Sequence, residues 1–390
     1  MSLREIAVID GNVFCEDGIF RKTSIRIQGE YLADIGEVVK EKSVEVVDAT
    51  DCYVVPGFVD IHIHGAVGVD FCDASAKAIE KMATYLLSQG VTSFLGTTMT
   101  LPAEDLLKVC EAAKPLVGFR DANQATLQGI NMEGPFFNIE KRGAQNQNHI
   151  IAPDLALYRE MNKASGDGIK TMAIAPEIPG GLSCIKEVSK ECIVSLAHSS
   201  ANYQAAMAGF EAGATHVTHL FNGMPPFNHR EPSIVGAALD AKAYVEVICD
   251  GIHLHPAVIR AVFRLFDEDK VCLISDAMSA CGMADGRYEL GGQVVTVQGN
   301  SATIANGSLA GSVTSLMDGF RNAVSFGIPL EKALKAATIN PAKSVQIDHL
   351  IGSIGKGKYA DLLLLDKQLQ IKKIIKHGKA EPSCRSLQNS

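Results

Sequence analysis

Five consecutive residues, Asp60-Ile61-His62-Ile63-His64, put two imidazoles and a carboxylate at alternate positions. On a β-strand alternate side chains share a face, so Asp60, His62 and His64 point one way and Val59, Ile61 and Ile63 the other. Two imidazoles at that spacing reach one point above a strand end and can hold a single metal ion. An isolated His-X-His is as readily a strand with two hydrogen-bonded histidines. The context downstream favours metal: Glu133, His198, His219 and Asp276 each stand at the end of a later apolar run. Any one of them has an ordinary role, such as a loop carboxylate at Glu133 or a cap at Asp276. Their recurrence at equivalent places is what a metal site requires.

Imidazole and carboxylate without thiolate suit zinc, iron, cobalt or manganese rather than calcium. Glu133, His198 and His219 make a three-ligand set with a position open to water. His62 and His64 can hold a second ion, with Glu133 bridging. A bound metal lowers the pKa of its water from about 15.7 towards 7, and such a site hydrolyses amides, esters or C–N bonds. Asp276 is the expected general base and then acid, passing the water's proton to the leaving nitrogen, a role generally worth about 10²–10⁴-fold. His216, three residues before His219, faces the other way on a regular strand and is expected to be structural.

These residues need a scaffold that brings strand ends together. From Phe58 onward apolar strand-like runs alternate with helical or loop segments, at 58–64, 91–98, 126–133, 170–177, 192–199, 215–222, 244–251 and 271–278. A helix is expected near 75–89, where Ile79, Met82, Ala83, Leu86 and Leu87 fall at helical spacing before Gly90. Eight such units predict an α/β fold, a closed (β/α)8 TIM-type barrel spanning 57–356, with its chemistry at the C-terminal strand ends. An open doubly wound sheet would need a glycine-rich phosphate loop after the first strand, which HIHGAVGVD does not supply. Residues 279–311 interrupt the rhythm and read as an inserted hairpin or two beside the active-site mouth. Helices near 313–325 and 330–338 follow.

Residues 1–56 read as short alternating strands with a turn at Asp10-Gly11, and 357–390 offer matching pieces at 360–366 and 369–378. Neither end can bury both faces alone, so the two termini are expected to join in one small discontinuous β-sandwich domain of antiparallel strands.

Composition narrows the function. Hydrophobic residues make up 47% and aromatics 6%, with no Trp, so the core is aliphatic, as buried parallel strands prefer. A net charge of −8 argues against nucleic acid or an anionic membrane as partner, and an anionic small substrate would need a local cationic pocket. The 10 cysteines are scattered without a CxxC pair, and several, such as Cys249 and Cys272, lie in apolar runs. They read as free thiols in a reducing compartment. With no signal-peptide pattern and no apolar run of about 18 residues, the expected location is the cytoplasm.

At this point the motifs resemble those of a known family. PGFVDIHIHG (56–65), INMEGPFFN around Glu133, APEIPGG (175–181), AHSSANY (197–203), THLFNGMPP (218–226), ICDGIHLHP (248–256), LISDAM (273–278), LAGS (309–312) and the closing GKYADLLLLD are similar to those of N-acetylglucosamine-6-phosphate deacetylases, within the amidohydrolase superfamily. His-X-His and the closing motif are widespread in that superfamily; the EGP, THLFN, DGIH and DAM pieces in this order are more specific. The resemblance implies a cytoplasmic, homodimeric enzyme of amino-sugar catabolism that depends on a divalent metal, zinc or iron, with one or two ions per subunit. It would remove acetate from N-acetylglucosamine 6-phosphate. Glu133, His198 and His219 would be the main ligands and Asp276 the acid/base. Arg230 and His253 would grip the phosphate, and since in this family that arginine can come across the dimer interface, Arg230 would be able to serve the partner's site. Asn222 and Gly223 would help through the backbone, and Ser312 would lie beside the acetyl group.

Two departures stand out. The chain keeps both His62 and His64, which some members lack, so a binuclear site is expected to be available. Many members carry a histidine after EGP that polarises the amide carbonyl; here Gln145 stands at that place, with His149 four residues on. Two alternatives remain at this stage. A dihydroorotase- or hydantoinase-like cyclic amide hydrolase would place a lysine at a strand end. A non-catalytic scaffold relative would have lost ligands.

Overall fold

The protein is described here by a computed structural model covering residues 4–36 and 44–380. Its centre is a parallel eight-stranded barrel. In chain order the strands are Phe58–Ile63, Val91–Thr97, Thr126–Glu133, Ile169–Ile174, Ile193–Leu196, His216–Val217, Tyr244–Ile248 and Val271–Ile274. Each is hydrogen-bonded to the next. Main-chain bonds from Asp276 N to His62 O and from His64 N to Ala277 O, both 2.9 Å, tie the end of strand eight to strand one.

Each of the first seven strands is followed by a helix. The first, Ala76–Ser88, shows why the sequence folds this way. The Ser75 hydroxyl accepts the Ala78 N–H at its start. Ala78, Ile79, Met82, Ala83, Leu86 and Leu87 form one buried stripe against the barrel, and Gly90, at φ 81°, ends the unit. After strand eight comes a three-stranded antiparallel sheet, Gly286–Leu290, Gln293–Gln298 and Ser301–Thr303, in the expected insertion. Leu316–Ser325 and Leu330–Ala337 then complete the outer layer.

The terminal segments share one eight-stranded sheet. Its order is Lys379–Ala380, Ile371–Lys376, Leu362–Leu365, Tyr53–Pro56, Glu5–Phe14, Phe20–Gln28 and Tyr31–Gly36, with Glu45–Asp48 also paired to Glu5–Phe14. Its two ends approach each other, because Ala360 N bonds to Glu30 O and Gly378 N to Ala360 O, so the sheet curls over its own apolar face.

Two local expectations are corrected. Glu45–Asp48 and Tyr53–Pro56 run parallel to Glu5–Phe14, not antiparallel, the intervening hairpin serving as the crossover. Asp10-Gly11 is not a turn: Glu5–Phe14 runs through it as one strand with a bulge between Val8 and Gly11, and Asp10 takes φ 60°.

The nine described cysteines are unpaired; Cys384 and the rest of 381–390 lie outside the described residues. No described helix is long and apolar enough to cross a membrane.

Candidate metal centre at the barrel mouth

The C-terminal ends of the strands enclose a cavity of about 300 Å³. Its lining includes His64, Glu133, Gln145, His198, His219, Asn222, Gly223, His253 and Asp276. At its floor Glu133, His198 and His219 converge. The two Nε2 atoms lie 3.2 Å and 3.0 Å from Glu133 Oε1 and 3.2 Å from one another. Second contacts decide which nitrogen is free: His198 Nδ1 lies 2.9 Å from Lys141 O, and His219 Nδ1 lies 3.2 Å from Asn222 O. A carbonyl only accepts, so each Nδ1 carries the proton and each Nε2 presents a lone pair. Two lone pairs and a carboxylate oxygen facing one point within hydrogen-bonding distance is a donor set for a cation.

A second group adjoins the first. His62, His64 and Glu133 each place a ligand atom within 4.8 Å of the others, as do Glu133, His198 and His219. His64 Nε2 is 3.4 Å from Glu133 Oε2 and 3.2 Å from Asp276 Oδ1. His62 Nε2, 3.7 Å from Glu133 Oε1 and 3.5 Å from Asp276 Oδ1, is buried without a hydrogen-bond partner. An orphaned buried nitrogen aimed between two carboxylates is a donor suited to a cation. Both groups therefore suit a divalent metal.

The electrostatics are those of a buried set held together by opposite charges. Burial alone would push the Glu133 carboxyl up, but His62, His198 and His219 hold it well below its ordinary range. Asp276 is brought to about 2, its burial outweighed by His62, His64 and His219. His62 resists its own burial and rises to about 10 beside Glu246, Asp276 and Glu133. His219 is raised too, the Glu133 contact overcoming its burial.

The backbone carries part of the geometry. The sequence suggested strands running through residues 199, 222 and 278, but they end at Leu196, Val217 and Ile274. His198, His219 and Asp276 follow, at φ 43°, 27° and 46°. Non-glycine residues seldom adopt these left-handed angles, and such strain collects at functional sites. The parity argument for His216 thus misses the turn that re-aims His219. His216 itself is fully buried, stacks on Tyr244 at 5.3 Å and is lowered by burial to about 4. Gly223 closes the other side of His198: at φ 63°, any Cβ there would lie 2.9 Å from His198 Nδ1.

The remaining expected residues divide. Gln145 is buried on the floor, its Oε1 accepting Thr100 N at 2.7 Å and its Nε2 donating to Glu133 Oε2 at 2.8 Å. His149, by contrast, is not part of the cavity lining. Asn222 and Gly223 line the wall, and His253 does so with Nδ1 2.6 Å from Asp250 Oδ2. Arg230 is exposed and outside this lining. Ser312 is buried behind it, its hydroxyl donating to Ser275 O at 2.6 Å, while Ser308, Leu309 and Gly311 face the cavity. The sequence reading missed Glu246, 1% exposed on strand seven, which touches both His62 and the His219 backbone. The signal was present: a single carboxylate within the apolar run YVEVIC.

Residues 53–381 match the model of the amidohydrolase family. The chain is 32% identical over 383 residues to the N-acetylglucosamine-6-phosphate deacetylase of Lysinibacillus sphaericus, covering 97% of this chain and 96% of that protein. It is 35% identical over 329 residues to an N-acetylgalactosamine-6-phosphate deacetylase of Escherichia coli O157:H7, covering 83% and 86%. The crystal structure of N-acetylglucosamine-6-phosphate deacetylase from Pasteurella multocida superposes with a TM-score of 0.91 at 29% identity, covering 97% of this chain and 100% of that one.

Proposed function

The chain belongs to the amidohydrolase family, and from that premise we propose that it hydrolyses the acetamido group of N-acetylglucosamine 6-phosphate, releasing acetate and glucosamine 6-phosphate. The observation that carries this reading is the convergence of His198 Nε2 and His219 Nε2 on Glu133 Oε1, with Asp276 on the same cavity.

In this reading Glu133, His198 and His219 hold one divalent ion, zinc or iron, and His62 and His64 with Glu133 hold a second. Such an ion supplies Lewis-acid polarisation and acidifies water at neutral pH. Asp276, brought to about 2, is ionised at neutral pH and is the base that takes the proton from attacking water. It then returns that proton to the sugar nitrogen as the C–N bond breaks, leaving acetate and the free amine. Gln145 spends its amide on Glu133, so its part is to fix that carboxylate, and His149 has no part. The aliphatic side chain of Leu309 borders the space in which the acetyl group would lie, and Ser312 supports that wall from behind.

The phosphate falls to the rim. With Nδ1 held by Asp250, His253 has Nε2 left for the ligand, and Asn222 and Gly223 lie alongside. Arg230 does not line this subunit's cavity and completes the partner's pocket in a homodimer. The setting is cytoplasmic amino-sugar catabolism. A cyclic amide hydrolase is disfavoured because, among the described residues, no lysine lines the cavity.

Acetate release from N-acetylglucosamine 6-phosphate, the unphosphorylated sugar and N-acetylgalactosamine 6-phosphate, before and after chelation, tests this directly. Chelator-sensitive release from N-acetylglucosamine 6-phosphate is expected. Equal rates with and without phosphate would remove the phosphate pocket. Preference for the galactosamine ester would move the substrate to the epimer, a reading the Escherichia coli relative makes specific.

A further inference from the structure

Glu246, like Asp60, is a buried carboxylate inside the barrel that the proposed chemistry leaves without work, and it is the one in contact with a ring nitrogen of His62. It sits mid-way along Tyr244–Ile248, 1% exposed, between Val245 and Val247, which join the large apolar cluster beneath the helices. Burying a charge there is costly unless it is matched. Its partners are specific. Oε2 receives Nδ1–H of His62 at 2.9 Å and the main-chain N–H of His219 at 3.2 Å. The Glu246 carbonyl accepts Leu220 N at 2.8 Å.

These contacts reach both donor groups from below. The bond to His62 places the proton on Nδ1, which leaves Nε2 as the lone-pair atom between Glu133 and Asp276. The bonds to His219 N and Leu220 N hold the left-handed step that swings the His219 ring onto Glu133. His198 and His219 have their Nδ1 atoms on main-chain carbonyls; His62 alone has a buried anion in that place. A carboxylate behind an imidazole strengthens the ring as a donor and fixes its orientation, and such partners are typically worth about 10–100-fold in metal affinity.

We propose that Glu246 is a positioning residue that braces both halves of a two-ion centre, acting chiefly through the tautomer and basicity of His62. This rests on the reading that the two donor groups hold metal, and the test separates the two ideas. Stripped full-length protein and E246Q are titrated with zinc, with bound metal counted by mass spectrometry and affinities measured by competition with a chelating dye. Melting of the metal-free forms is followed in parallel. Glutamine keeps the shape and removes the charge.

Wild-type protein is expected to bind two ions. E246Q should bind the weaker of them about 10–100-fold less tightly, while its metal-free melting stays near that of wild type. Equal affinities for both ions in the two proteins would overturn the inference and leave the metal centre standing. Wild-type protein that binds no ion would overturn both. Should E246Q fold poorly, the zinc-loaded wild type still decides: long-range proton–nitrogen spectra of labelled histidines must show His62 protonated at Nδ1 and coordinated through Nε2. Coordination through Nδ1 would exclude the brace.

Discussion

Among the described residues, charge is buried deeply at the lower end of the barrel and at its mouth, and the two places are built on opposite plans. Where the terminal sheet meets the lower end of the barrel, Lys376 is fully buried with Nζ 2.7 Å from Asp361 Oδ2. The other Asp361 oxygen accepts His377 N at 2.8 Å, and His377 Nε2 reaches Thr126 Oγ1 at 3.2 Å. One cation faces one anion there, and the ammonium has its acceptor. At the mouth, four imidazoles and two carboxylates point inward at a shared centre, and His62 Nε2 and His64 Nδ1 have no hydrogen-bond partner. A closed pair joins two pieces of chain. A convergent set with lone pairs to spare waits for a ligand.

The contrast can be broken most sharply at Asp276. An Asp276→Asn variant keeps the shape but cannot accept the proton, so kcat should fall by about 10²–10⁴-fold while bound metal stays at the wild-type level. Loss of metal along with activity would make Asp276 a ligand first and a base second.

Breaking the lower pair should do the reverse. Lys376→Met leaves Asp361 as an unpaired buried anion, expected to cost about 3–5 kcal/mol of stability in denaturant unfolding, with kcat of the folded protein unchanged. A large drop in kcat at full stability would mean that the lower cluster is coupled to the mouth.

His216 sharpens the comparison at its quiet end. Both ring nitrogens are buried without a partner, so His216→Phe removes unsatisfied polar atoms and keeps the stack on Tyr244. Stability should change by less than about 1.5 kcal/mol, and metal content not at all. A lost ion would place His216 in the centre after all.

Much of this was legible beforehand. The Asp60–His64 alternation announces an inward-facing strand because the period of two is a property of the extended chain. The spacing of eight apolar runs likewise announces a barrel. What could not be read is the hand of single backbone steps. Left-handed φ at His198, His219 and Asp276 comes from tertiary contacts such as Glu246 with His219 N, which no local propensity encodes. Direction was hidden in the terminal sheet for a related reason: an alternating strand looks the same whether its neighbour runs with or against it. Glu246 lay open in YVEVIC, yet its meaning depends on His62, 184 residues away.

The strand Tyr53–Pro56, through which the chain enters the barrel, is hydrogen-bonded to Leu362–Leu365, through which it leaves. During synthesis the first of these emerges long before the second. Its outer edge, made of Val54 and Val55 with their main-chain groups, stays unpaired until Leu362–Leu365 has left the ribosome. A nascent chain stalled or truncated before Leu362 would carry a permanent sticky edge, so Leu362–Leu365 acts as the seal that turns an already formed barrel into a particle safe from its own copies.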